Sequence, residues 1–359
     1  MGFIIGTCLD INSNALGDSI LKEHTHIFVN CVTFSNIGEL TFPLSFKTVL
    51  DSGCISGLAA ELFEHKKKHR HVKVILTINA SGNLNIFNKL ISIDTFKYTL
   101  IESICTAIRN YGLDGINIDW QHPISGVQPE KFAVFVKGLK LRFQQTQSLH
   151  LYDNLSLILT INPRINNIDY YKLDLYDSYV DFFHLKGYDL RDNWMKNVSH
   201  YNILYYNIKE SINYLHKIGT YQNKIIIGIP FEGHVFYATE GFDKPYSYSK
   251  VLPYKDIVQL FDADVSIYDE EYGVSYIYEE GNFVSFEDNI SVLNTIEYIK
   301  TEGIAGLISS NYKNDDEEYT ITNTILKEFD DDKDISNNNI LYITSEFANI
   351  ALLDYHHIV

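Results

Sequence analysis

Between Asp114 and Gln121 the chain reads Asp-Gly-Ile-Asn-Ile-Asp-Trp-Gln, with polar Asn117, Asp119 and Gln121 alternating with apolar Ile116, Ile118 and Trp120. In a strand, successive side chains point to opposite faces, so these six residues sort into one polar and one apolar set. Three polar side chains on one face of a buried strand cost free energy unless they are hydrogen-bonded, which makes them candidates for a site. Gln121, just ahead of His122-Pro123, has the shape of a glutamate but no proton to give near neutral pH. The segment has the layout of an acid-catalysis strand without its acid.

Such a strand needs a frame. Short apolar runs recur at residues 3–8, 26–33, 72–79, 115–120, 156–162, 182–186, 224–229 and 304–309. Amphipathic segments separate most of them. Phe96, Leu100, Ile101, Ile104 and Ile108 share one helical face, with Asp94 expected at the N-cap and Gly112 past the end. Pro129 opens a second helix with Phe132, Phe135, Val136, Leu139 and Phe143 inward. Ile208, Ile212 and Leu215, closed by Gly219, form another, and Ile321, Ile325 and Phe329 the last. Eight buried strands alternating with helices predict an α/β fold, a (β/α)8 TIM barrel, whose site residues lie at the C-terminal ends of the strands. A doubly wound sheet would need a glycine-rich first turn, and Leu9-Asp10-Ile11-Asn12-Ser13 is not one.

The barrel is expected over residues 1–329, interrupted between the seventh and eighth strands by an insertion at about 232–290. The insertion is rich in Tyr, Asp and Glu and carries a β-hairpin around Glu280-Gly281. Residues 330–359 read as a tail that packs on the barrel or trails from it.

A formal charge of −17 argues against nucleic acid and anionic membrane surfaces as partners. The basic run His65–His71 follows a helical pattern and reads as a solvated helix C-terminus. No run approaches the roughly 18–20 apolar residues of a membrane span, so no membrane insertion is expected. Cys8, Cys31, Cys54 and Cys105 show no CxxC or Cys/His spacing, so no metal and no cofactor are expected. No signal peptide precedes Phe3-Ile4-Ile5-Gly6; the expectation is an intracellular chain if complete, or a secreted one if processed. Asn79, Asn154, Asn197 and Asn289 each open an Asn-x-Ser sequon, which matters only on a secretory route.

The segment Asp114, Asn117, Asp119, Gln121 resembles the Asp-x-x-Asp-x-Asp-x-Glu signature of glycoside hydrolase family 18, the chitinases and chitinase-like proteins. Further motifs match in order. Thr25-His26-Ile27 with Gly38-Glu39-Leu40 resembles the family's second strand and turn, and residues 72–78 its third strand. Gly187-Tyr188-Asp189-Leu190 resembles the sixth-strand Tyr-Asp pair, Gly228-Ile229-Pro230-Phe231-Glu232-Gly233 the seventh-strand motif, and residues 303–307 the eighth strand. The resemblance covers residues 3–329, and several ordered motifs are far more specific than one.

The resemblance implies a substrate-assisted mechanism. The terminal Glu protonates the leaving oxygen, while the carboxylates behind it orient the substrate's own N-acetyl group, which attacks the anomeric carbon. The tyrosine of the Tyr-Asp pair hydrogen-bonds that acetamide. Against this pattern the chain departs repeatedly. Gln121 stands for the acid, Asn117 for a carboxylate, Ser310 for the eighth-strand Trp, and Lys186 for the Met before the Tyr-Asp pair. Glu232-Gly233-His234 replaces Tyr-Gly-Arg, Asn79-Ala80 replaces Gly-Gly, and Cys31 stands for an aromatic.

No working acid is expected among the degenerate positions Asp114, Asn117, Asp119 and Gln121. Asp119, Gln121, Lys186, Tyr188, Asp189, Trp194 and Glu232 are the candidate ligand-binding residues. The expected function is that of a catalytically inactive chitinase-like protein, binding N-acetylglucosamine-containing glycans (a chitooligosaccharide or N-glycan) or a protein partner through the barrel mouth. Two alternatives stand beside it: a glycosidase with an acid rebuilt at Glu232, and an interaction scaffold without glycan affinity that binds a protein through its acidic insertion.

Overall fold

The computed structural model describes residues 2–13, 16, 19–49, 55–120, 129–148, 154–163, 170–188, 195–200 and 208–330. Gln121, Asp189, Trp194, Cys54 and residues 331–359 of the tail lie outside the described residues.

Besides three two-residue strands between residues 40 and 56, seven strands of the barrel come first along the chain: β1 (Ile4–Asp10), β2 (His26–Phe34), β3 (Lys73–Asn79), β4 (Gly115–Asp119), β5 (Ser156–Ile161), β6 (Phe182–Lys186) and β7 (Ile225–Ile229). The insertion contributes β8 (Glu232–Tyr237), β9 (Tyr248–Pro253), β10 (Ile267–Asp269), β11 (Val274–Glu279) and β12 (Asn282–Phe286), and β13 (Gly306–Ser309) returns to the barrel. β1 to β7 and β13 run parallel, each paired with its neighbour, and β1 pairs with both β2 and β13, which closes the ring. The helices between them are α1 (Leu58–Lys68), α2 (Leu84–Ser92), α3 (Asp94–Tyr111), α4 (Pro129–Ser148), α5 (Lys209–Lys217), α6 (Tyr254–Leu260), α7 (Asn289–Glu302) and α8 (Thr320–Asp330). No described helix is long and apolar enough to cross a membrane.

The alternation of the strands divides the apolar residues into two cores. Ile4, Phe28, Ile75, Ile158, Phe182, Ile226 and Ile308 fill the inside of the ring, the packed interior that such a barrel requires. The other parity, including Ile116 and Ile118 of β4, packs outward against the helices. Trp120 lies in that outer layer, 4.0 Å from the Phe132 ring of α4, so it is no sugar platform. Gly306 opens β13 at φ 149°, where a Cβ would overlap the Ile4 carbonyl; only glycine lets β13 come this close to β1.

Two local expectations are corrected. Asp94 is the first residue of α3 rather than its cap, and its carboxylate takes a 2.7 Å hydrogen bond from Lys97 one turn on. Gly112 does end that helix in the left-handed conformation. The basic run is not wholly solvated: Lys66 Nζ turns back to within 2.6 Å of Asp114. The hairpin expected in the insertion is present as β11 and β12 around Glu280-Gly281, and it belongs to a five-stranded antiparallel sheet in the order β9-β8-β12-β11-β10. Residues 195–200 lie across one face of that sheet, with Val198 packed on Phe236 and Phe283.

Candidate functional site

Each barrel strand sends every second side chain inward, so the interior is built in levels. Phe28, Ile75, Ile158 and Phe182 belong to the apolar plug. Two residues further along the same strands stand Asn30, Thr77, Thr160 and His184, with Asn117 of β4 among them. Above these come Asp119, Lys186, Tyr188, Glu232 and Ser310, and the two polar levels together line a cavity of about 230 Å³.

The lower level is a chain of hydrogen bonds across four strands. Asn117 Nδ2 donates to Thr77 Oγ1 at 3.3 Å, and Thr160 Oγ1 donates to Asn117 Oδ1 at 3.0 Å. A hydroxyl has one proton, so Thr160 must accept at its 2.9 Å contact with His184 Nδ1, which fixes the His184 proton on Nδ1. Burial pushes the imidazole down to about 3, so it is neutral. Its Nε2 has no hydrogen-bond partner among the described residues and faces Gly228, where a Cβ would stand 2.5 Å away. Asn117, Thr77, Thr160 and His184 are thus a neutral floor. Beside it the Cys8 thiol, hydrogen-bonded by Asn30, is pushed up to about 12 by burial and is inert.

The upper level carries the charges. Glu232, the first residue of β8, accepts from Ser310 Oγ at 2.6 Å through Oε2 and from Asn314 Nδ2 at 2.5 Å through Oε1. Ser310 in turn accepts the Phe231 backbone N–H at 2.9 Å. Burial raises the Glu232 carboxyl above the ordinary range, and these hydrogen bonds and the nearby Lys186 pull it back. Lys186 Nζ lies 5.0 Å from the centre of the Tyr188 ring, within reach of a cation–π attraction.

A second cavity of about 350 Å³ opens beside the first, at the ends of β1, β2 and β13. The two share Cys8, Asn30 and Ser310, and Asp10, Asn12, Cys31 and Asn311 belong to the second alone.

Of the residues expected at the site, Asn117, Asp119, Lys186, Tyr188, Glu232 and Ser310 converge on the first cavity. Asp114 does not. It sits at the opposite end of β4, accepts the Val74 N–H at 2.7 Å, and pairs with Lys66 at 2.6 Å and Lys73 at 3.8 Å. The motif's first carboxylate is a structural tie at the closed end of the barrel. Gln121, Asp189 and Trp194 lie outside the described residues. Asn79 is tied to the Gly82 N–H at 2.6 Å and to the Cys31 thiol.

Asp10, Asn30, Thr160, His184 and Asn314 are additions. Counting in twos from the plug along β2, β5 and β6 finds Asn30, Thr160 and His184. Asp10 was missed because β1 runs two residues beyond its apolar stretch. Asn314 comes from a short turn after β13 with no periodic signal. Among the described residues, no group of three or more His, Cys, Asp and Glu is placed to hold a metal ion.

With this geometry in view, comparisons with known proteins are informative. The sequence profile described as "Glycosyl hydrolases family 18" matches residues 11–315. "Probable chitinase 2" of Drosophila melanogaster is 24% identical over 287 residues, 70% of this chain and 58% of that protein, so the chain spans less than two thirds of this relative. Among solved structures, a class V chitinase variant from Nicotiana tobaccum in complex with NAG4 superposes with TM-score 0.77 at 19% identity, covering 91% of this chain and 99% of that one. Human YKL-39, described as a pseudo-chitinase with retained chitooligosaccharide binding properties, gives 0.78 at 18% identity over 92% of this chain and 100% of that one. The fold, the order of its motifs and the extent of the profile match agree: the chain belongs to glycosyl hydrolase family 18.

Proposed function

We propose that the protein binds N-acetylglucosamine-containing glycans at the barrel mouth without hydrolysing them. The observation that carries this reading is the neutral floor of the site. Hydrolysis of the family type needs a glutamic acid at the strand end and carboxylate charge behind it. Here the sequence places Gln121 at the acid, and behind it Asn117 is bonded to Thr160, which is bonded to a neutral His184. No group in that chain supplies a proton at neutral pH.

Binding needs less. Asp119 and Tyr188, the residue types that in this family hold the acetamide, line the first cavity. At about 230 Å³ that cavity is smaller than the roughly 300 Å³ at which small-molecule pockets begin, so it suits an acetamide with the ring outside it. A pseudo-chitinase with retained chitooligosaccharide binding and a chitinase holding NAG4 are both structural neighbours, which supports a glycan in this groove.

The rival reading, an acid rebuilt at Glu232, draws on its burial-raised carboxyl. Its geometry is unfavourable: both oxygens already accept hydrogen bonds, from Ser310 and Asn314, and neither is presented as a free donor. Titrating chitooligosaccharides of increasing length by calorimetry, alongside a fluorogenic chitobioside assay, separates the readings. Heat that grows with length and no fluorescence is the expected result. Turnover abolished by Glu232→Gln would establish the rebuilt acid instead. Silence in both assays would leave the interaction scaffold.

A further inference from the structure

On a molecule of net charge −17, the closed end of the barrel carries a basic patch. Lys66, Lys67, Lys68 and Arg70 follow one another where α1 ends and the chain turns toward β3. His71 donates from Nε2 to the Lys22 carbonyl at 2.7 Å, which brings Lys22 to the same place. Part of this charge is answered locally. Asp114 holds Lys66 at 2.6 Å and Lys73 at 3.8 Å, and Glu64 holds Lys67 at 2.9 Å. Lys68 and Arg70 are exposed and have no ion pair among the described residues.

The chain leaves its last helix at this same end. α8 stops at Asp330, and the buried Phe329 packs its ring 5.0 Å from that of Phe3, just ahead of β1. Gly6 of β1, His26 of β2 and Lys73 of β3 stand in one row of the sheet. Phe3 and Arg70, each three residues before that row, are therefore about two strand spacings apart, roughly 10 Å. Beyond α8 the sequence continues Asp331-Asp332-Lys333-Asp334, three carboxylates against one ammonium. Four extended residues reach about 14 Å.

From this we infer that residues 331–334 form a strap across the closed end of the barrel, with their carboxylates on Lys68 and Arg70. Reach and charge both favour this occupant over an outside anion. A free anion meets the repulsion of the whole molecule, whereas the strap is tethered a few residues away and arrives at a high effective concentration. Exposed ion pairs are individually weak, so the strap depends on several acting together. It joins the last helix to the end of α1 over the β1–β2 edge, where the ring closes.

Lys333 is the only Lys or Arg beyond Lys327, so tryptic cleavage after it reads the strap in the full chain. At about 20 mM salt, release of the fragment 334–359 is expected to be roughly four-fold slower than at about 0.5 M salt, after correction with a free peptide of residues 328–339. The double variant Lys68→Glu/Arg70→Glu, changed at exposed positions, should lose that protection at low salt. Lys68→Arg/Arg70→Lys, which keeps both charges, should retain it. Zero-length carbodiimide coupling in the parent should join Lys68 to Asp331, Asp332 or Asp334 of the same chain. Cleavage at one rate in the parent and the charge-reversed variant, whether fast or slow, would overturn the inference. So would protection that grows with protein concentration, which would place the segment on a second copy.

Discussion

Ser310 does work that a tryptophan at its place could not do. Its hydroxyl takes the Phe231 N–H and gives its own proton to Glu232, whose other oxygen is held by Asn314. The serine at 310 and the buried carboxylate at 232 are therefore one unit, since the hydroxyl is part of what holds the carboxylate. Ser310→Ala would leave the Phe231 N–H and Glu232 Oε2 each short of a partner. A loss of about 1–3 kcal/mol is expected in urea unfolding, since a buried group left unsatisfied costs its desolvation. A loss below about 0.5 kcal/mol would mean that water replaces the hydroxyl and the clamp is incidental. The places of Lys186 and Ser310 at the first cavity were legible from the sequence because a motif names them. The floor was not, because Thr160 and His184 sit in runs that read as plain buried strand, and only the register across β4, β5 and β6 brings them to Asn117.

Elements explain why one motif carries two unrelated duties. β4 spans the barrel from its closed end to its mouth, so Asp114 and Asp119, five positions apart in sequence, face different environments. Asp114 ties the loop after α3 to Lys66 of α1 and to the start of β3. Asp114→Ala is expected to lower stability by about 1–3 kcal/mol through the orphaned Val74 N–H. Oligosaccharide affinity should stay as in the parent, and a several-fold change in affinity at unchanged stability would place Asp114 in the site after all. The eight barrel strands were legible because each is apolar and bounded by turn residues. The insertion was legible only at its hairpin, where Glu280-Gly281 marks the reversal. β8 escaped because its residues 233–236 are all buried: one parity meets the barrel side, and the other is covered by residues 195–200. A strand covered on both faces has no period of two in its hydrophobicity.

At the scale of the whole molecule, three histidines link stability to pH. His184 in the barrel floor is held down to about 3, and His26 at the start of β2 and His200 beneath the insertion sheet to about 4, all chiefly by burial; Asp114 near His26 and Asp269 beside His200 oppose the shift and lose. Their folded values lie below the roughly 6.5 of an unfolded chain, so on acidification the unfolded state takes up protons that the folded state refuses. Their contribution is therefore full above about pH 6.5 and falls as pH drops toward 4, by on the order of 1.4 kcal/mol per group per pH unit. The buried carboxyls of Glu232 and Asp315, raised by burial, act in the opposite sense at the acid end and offset part of this. Melting at about pH 5 should occur several degrees below melting at about pH 7.5, with a smaller gap in His184→Gln; an equal or higher melting point at pH 5 would count against neutral buried imidazoles. Finally, the closure of the ring has a consequence for how the protein is made. Thr7 of β1 bonds Ser309 and the Tyr312 N–H, partners 302 and 305 residues away. During synthesis β1 leaves the ribosome before the other strands of the barrel and acquires β2 early, yet its other edge stays bare until β13 has emerged. For most of the barrel's translation the apolar run Phe3-Ile4-Ile5 offers an open strand edge to any neighbouring nascent chain, which makes the earliest-made strand of the barrel the one most in need of a chaperone.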